Sequence, residues 1–181
     1  MTRRFVPLLL ALVAAVVLAA PLKIDPSKST VSATFRQMGV PVDANFNRFT
    51  AQIDYDAAKP EASKASVEID VTSFDLGDPD YNAEVRKKEW FNAAQFPKAS
   101  FTSTRIRSTG PDKLEVNGKL TLKGRTADVS FPMTVKQQAG GRLFEGSLPI
   151  RRLAFGIGEG EWKDTSVVAD EVIIKFRVLA R

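Results

Sequence analysis

From Leu22 onward the apolar residues recur mostly at every second position, the spacing that sends alternate side chains to opposite faces of a β-strand. Val31, Ala33 and Phe35 alternate with Ser32, Thr34 and Arg36. Beyond a turn at Gly39-Val40-Pro41 the row continues through Ala44 and Phe46, then resumes at Phe49, Ala51, Ile53 and Tyr55. The phase slips between Phe46 and Phe49, as a β-bulge would make it, since one extra residue resets the face a strand shows. Ala65, Val67, Ile69 and Val71 predict the next strand, with Ser66, Glu68, Asp70 and Thr72 on its wet side. Further strands are predicted over 98–107, 113–122, 126–135, 142–151 and 171–179, separated by turns such as Gly110-Pro111-Asp112 and Gly140-Gly141. Seven or eight strands result. The alternation breaks only over 79–95, where Tyr81, Val85 and Lys88 or Glu89 fall at helical spacing, Asp80 is placed to cap the start, and Trp90 with Phe91 forms an apolar end. One helix is predicted there, its charges from Glu84 to Glu89 forming a solvated face.

Residues 1–20 read as a secretory signal. Arg3 and Arg4 supply the charged start, an apolar run from Phe5 to Val17 follows, and the small residues Ala19 and Ala20 close it. The run is shorter than the ~18 residues expected of a membrane-spanning helix, and no later stretch is uniformly apolar over such a length. Cleavage is expected after Ala19, with a cut after Ala20 as the alternative, leaving 20–181 as a single exported domain with no stable membrane insertion. Loss of Arg3 and Arg4 lowers the net charge from +5 to +3, too mild to imply nucleic acid. The chain has no Cys and no His. It therefore has neither a disulfide framework nor a thiol for lipid attachment, and it lacks the commonest general base and the commonest ligand of zinc, copper and haem. No metal or other cofactor is expected.

Short strands with tight turns suggest a sandwich or an up-and-down barrel. Rows such as Ala127, Val129, Phe131, Met133 and Val135, or Val172, Ile174, Phe176 and Val178, gather apolar side chains on one face. A barrel of about eight strands is either filled by side chains or hollow enough for one small ligand. Periodicity leaves that choice open.

Several segments, taken in order, carry a family resemblance. They are Ile24-Asp25 with Ser29 and the strand to Phe35; Phe46 and Phe49 before Ile53-Asp54-Tyr55-Asp56; Trp90-Phe91-Asn92 followed by Phe96-Pro97 and Phe101-Thr102-Ser103; the stretch Gly118-Lys119-Leu120-Thr121-Leu122-Lys123-Gly124; and Arg152 with Phe155-Gly156-Ile157, then Asp170-Glu171-Val172. Over nearly the whole mature chain this set resembles the YceI-like family of periplasmic polyisoprenoid-binding proteins. The chain departs from the family pattern at Lys28, Ala44, Ala51 and Ala154. The resemblance implies an all-β fold: an eight-stranded antiparallel, lipocalin-like β-barrel with one short helical excursion. It further implies a periplasmic location and a long apolar pore for an isoprenoid, quinone-like or fatty-acyl lipid.

Twelve Phe and two Trp are available to line such a pore or to fill a solid barrel. Phe35, Phe46, Phe49, Phe101 and Phe131 are the expected wall residues, with Trp90, Phe91 and Phe155 near a bend or mouth. Burial of about fifteen tail carbons would contribute roughly 12 kcal/mol before ordering costs, so few polar contacts are needed. Arg152 is the candidate head-group contact, because a guanidinium holds a phosphate or carboxylate bidentately; the competing reading is an ion pair to a loop carboxylate. The 156–166 segment, with Trp162 and three carboxylates, reads as a flexible surface turn rather than the alternative, a pore lid, and its Gly156-x-Gly158-x-Gly160 spacing lacks the context of a nucleotide loop. Two rival functions fit the sequence less well than the carrier. An outer-membrane barrel needs an apolar lipid-facing band, which Glu68, Asp70, Arg105, Arg107, Lys175 and Arg177 interrupt. A carboxylate-dependent hydrolase needs carboxyl groups facing across a cleft, and pairs such as Glu159/Glu161 or Asp54/Asp56 read as surface charge. The expected function is a periplasmic lipid carrier, not an enzyme, with oligomeric state, a homodimer included, left open.

Overall fold

The computed structural model describes residues 21–181, so the signal-peptide reading of 1–19 lies outside the described residues. The chain forms β1 (Thr30–Gln37), β2 (Val40–Phe46), β3 (Phe49–Asp54), β4 (Lys64–Asp70), β5 (Phe74–Asp75), the helix α1 (Pro79–Glu84), β6 (Lys98–Gly110), β7 (Lys113–Leu122), β8 (Arg125–Gln138), β9 (Gly141–Arg151) and β10 (Val168–Ala180). The strands make one antiparallel sheet in the order β3-β4-β6-β7-β8-β9-β10-β1-β2-β5, curled into a half-barrel.

The strand count is ten rather than the expected eight, for two reasons. The stretch read as one bulged strand is broken: β2 pairs with β1, β3 pairs with β4, and Asn47 and Arg48 leave the ladder between them. Their N–H groups are not orphaned, since Asn47 N–H donates to the Ser73 carbonyl at 3.2 Å and Arg48 N–H to Ser73 Oγ at 2.9 Å. The break resets the phase, so Phe46 and Phe49 both face inward. The second addition is β5, two residues that pair Phe74 with Phe46.

The predicted helix is present but short. Asp78, not Asp80, caps it, accepting from the N–H groups of Asp80 and Tyr81 at 2.8 and 3.2 Å, and Pro79 takes the first helical position. Residues 85–95 run on as successive turns.

Inward rows follow the alternation. On β7 the buried Leu114, Val116, Gly118, Leu120 and Leu122 alternate with more exposed neighbours. The outer wall carries cross-strand ion pairs, Arg107–Glu115 and Lys119–Asp128 each at 2.9 Å and Arg177–Glu145 at 3.2 Å. These pairs sit in water and add little stability; they make the outer face polar. Glycine fixes the interior at two points. A Cβ at Gly118 would collide with the Phe101 ring, and one at Gly146 with the Phe176 ring, so both rings lie flat on the wall only because those positions are glycine.

Candidate functional site

The interior is hollow. A cavity of about 250 Å³ lies where the β1–β2 hairpin, α1 and the loop before β10 meet, and a second of about 120 Å³ lies deeper in the sheet. Phe46, Leu122 and Ile174 line both, so the two cavities adjoin. Small inward residues account for the space: Ala33 faces the first cavity, and Ala51, Ala65 and Ala99 face the second. Aromatic residues floor both cavities. Phe74 stands 4.7 Å from Phe46 and 5.2 Å from Phe91, centroid to centroid, while Phe131 sits 5.4 Å from both Phe101 and Phe176. These tilted and edge-on contacts are the favoured aromatic geometries, and they hold the walls open.

Most of the sequence-predicted wall residues lie at these cavities. Phe35, Trp90 and Phe91 line the first, Phe49, Phe101 and Phe131 the second, and Phe46 both. Phe155 does not: it is buried at 3 % exposure but faces neither space, because it closes a short 3₁₀ turn outside the inward rows. Phe74, Phe144 and Phe176 are wall residues that sequence reasoning did not single out as sites, although Phe176 belongs to a row it had marked.

Arg152 requires a correction. Its side chain is 2 % exposed, and all five guanidinium N–H groups donate to main-chain carbonyls: Nε to Ala169, one Nη to Ile157 and Gly158, the other to Trp162 and Val168, at 2.6 to 3.0 Å. Five donors meet five acceptors, which leaves nothing for a head group. It makes no ion pair to a loop carboxylate either. Burial pushes its pKa below the ordinary value, nearby Asp170 pulls it back up, and a guanidinium keeps its proton under such conditions. Arg152 is the post around which the 152–168 segment is wrapped. That segment is accordingly no loose turn. It forms two 3₁₀ turns, Arg152–Phe155 and Gly160–Lys163, and its far side is tied by Lys123 Nζ donating to the Gly156 carbonyl at 2.5 Å. Glu159 is ion-paired to Lys123 and Arg125, both at 3.3 Å. The adjacent Arg151 is instead exposed and pairs with Asp170 at 3.3 Å.

The mouth of the first cavity is built from Gln37, Tyr81, Glu84 and Trp162, none of them among the ligand contacts expected from the sequence. They come from three separate segments, β1, α1 and the Gly160–Lys163 turn, and only folding brings them together. Beside them stand the most exposed large apolar side chains among the described residues, Met38, Val40 and Tyr81. Among the described residues no group of three or more His, Cys, Asp or Glu is placed to hold a metal, and no helix is long and apolar enough to cross a membrane.

Fold and cavity together define an antiparallel barrel-like protein with a hollow apolar interior. The chain belongs to the YceI-like domain family, which it matches over residues 22–180. It is 34% identical to a UPF0312 protein of Shewanella baltica over 68% of this chain and 64% of that relative, just under two thirds of the relative's length. A UPF0312 protein of Azotobacter vinelandii is 35% identical over 70% of this chain and 67% of that relative. Among solved structures, Burkholderia cenocepacia BcnA is 49% identical and superposes with a TM-score of 0.86, covering 88% of this chain and 100% of that one. A polyisoprenoid binding domain from Saccharophagus degradans, implicated in plant cell wall breakdown, shares the fold at 17% identity and a TM-score of 0.68, covering 91% of this chain and 98% of that domain.

Proposed function

We propose that the protein binds one long-chain amphiphilic lipid of the polyisoprenoid type, its tail in the apolar interior, and carries it through the periplasm without chemical change. The observation that carries this reading is the pair of adjoining apolar cavities sharing Phe46, Leu122 and Ile174. Family membership and the fold shared with a polyisoprenoid binding domain support the ligand class. The ion-paired outer wall favours a barrel surrounded by water over one embedded in lipid.

A chain-length series tests it. Prenyl alcohols of increasing length, titrated calorimetrically into the purified protein, should bind one per chain, with affinity rising up to about fourfold per buried CH₂ until the interior is full. An absence of uptake at every length would contradict the proposal.

A further inference from the structure

The polar end of the ligand is constrained by what the mouth offers it. This inference rests on the carrier reading above. The first cavity is lined by two charged residues, Glu84 and Arg152. Glu84 is held by Lys87 at 2.5 Å. Arg152 has committed all five N–H groups to backbone carbonyls. An anionic head group brought here would lose its water, meet a carboxylate and find no free cationic N–H in the lining, and a buried charge without a hydrogen-bonded partner is strongly disfavoured.

The remaining lining donors are neutral, and Trp90 stands out among them. Its Nε1 is buried and has no hydrogen-bond partner. Its ring is fixed from several sides: the Arg152 guanidinium lies over it at 5.9 Å from the centroid, and the Trp162 ring lies 5.3 Å away. The N–H groups of Gly158 and Glu159 both donate to the carbonyl of Glu89, the residue before Trp90. Gly158 is itself required, because a Cβ there would collide with the Arg152 guanidinium and come within 3.2 Å of the Trp90 ring. An unpaired buried donor is costly, so a donor held this firmly beside a cavity gains from an acceptor delivered to it. The nitrogen is covered rather than open to the cavity, so an acceptor reaches it only when a neighbouring side chain gives way; the ring packed against Trp90 is that of Trp162, half-buried on the Gly160–Lys163 turn.

We infer that the mouth recognises an uncharged head group bearing an acceptor oxygen, such as a hydroxyl, ether, ester or ketone, with Trp90 Nε1 as donor, in preference to a phosphate or carboxylate. The test compares three C20 probes at pH 7: geranylgeraniol, geranylgeranyl phosphate and the corresponding hydrocarbon. The alcohol should bind wild type at least about tenfold more tightly than the phosphate. Trp90→Phe, which keeps the aromatic packing, should lose about five- to tenfold for the alcohol and less than about twofold for the hydrocarbon. A second readout needs no change at Trp90. The protein has two Trp, hence two indole N–H signals by NMR, assigned with Trp162→Phe. The alcohol should shift the Trp90 signal downfield, and the hydrocarbon should not. Equal or tighter binding of the phosphate, or an unmoved Trp90 signal while the alcohol binds, overturns the inference and leaves the carrier reading standing. If none of the three probes binds, the carrier reading falls and this inference with it.

Discussion

Replacing Arg152 by Met keeps most of the side-chain volume and removes every donor. Five carbonyls then lose their partners. Those of Ile157, Gly158 and Val168 belong to buried residues, whereas Trp162 and Ala169 are half-exposed and their carbonyls recover water readily. Leaving a buried acceptor unpaired costs about 1–3 kcal/mol, so the three buried groups set an expected loss of about 3–6 kcal/mol once some water has entered. For a chain of this length each kcal/mol lowers Tm by about 2–4 °C, so the drop should be roughly 6–24 °C. The 152–168 segment should loosen ahead of the sheet, visible as faster amide hydrogen exchange at Ile157 and Val168 than in β7 and β8. Arg152→Lys restores a charge with three N–H groups at most and should recover only part of the loss. Urea denaturation of both variants with exchange mass spectrometry makes the measurement. A Met variant within about 1 kcal/mol of wild type would refute the reasoning, because the three buried hydrogen bonds would then be supporting nothing.

Three further outcomes are expected. Leu122→Trp places a large ring at the junction of the two cavities and should cut the longest prenyl alcohol that binds while sparing short ones, read by calorimetry; an unchanged length limit would mean the cavities do not act as one path. Gly146→Ala forces the Phe176 ring and the Pro132 carbonyl, 2.9 Å from the new Cβ, to move, and should cost about 1–3 kcal/mol in thermal melts; a neutral change would show that the wall gives freely. Asp70 and Asp75 have carboxyl pKa values held below the usual range, chiefly by hydrogen bonds from the Thr72 hydroxyl and the Asn82 side chain respectively. Depressed folded values stabilise the protein above the unfolded carboxyl pKa and release that stability as pH falls through the folded ones, so Tm should hold from pH 7 to about 5 and decline below about 4. Asp70→Asn should flatten part of that decline, and an acid slope identical to wild type would count against the assignment.

How much was legible in the sequence depends on where each signal resides. The strand β7 was read with its observed bounds because strict alternation and a Gly-Pro-Asp turn mark it locally. The inward aromatics of β1, β2, β3, β6 and β8 were readable for the same reason, since period two decides which side chains share a face. The β2–β3 break was not, because pairing partners lie elsewhere in the chain and a three-residue step looks like a bulge until β1 and β4 are seen to claim one half each. Arg152 misled for a related reason. An Arg beside a strand end has the composition of an anion site, and the five carbonyl partners of Arg152 become visible only when residues up to 17 positions away fold back on it. Hollowness, too, depends on the sum: individual Ala residues in strands are unremarkable, whereas Ala51, Ala65 and Ala99 facing one space leave room that Phe101 and Phe131 do not fill.

The most direct test is mass spectrometry of the organic extract from protein purified out of the cells that naturally make it, set beside native spectra of the intact protein. The account predicts a stoichiometric long-chain lipid released on extraction, with the intact mass raised by that amount. Protein that carries no lipid and takes up no isoprenoid or fatty acid when offered one would contradict it.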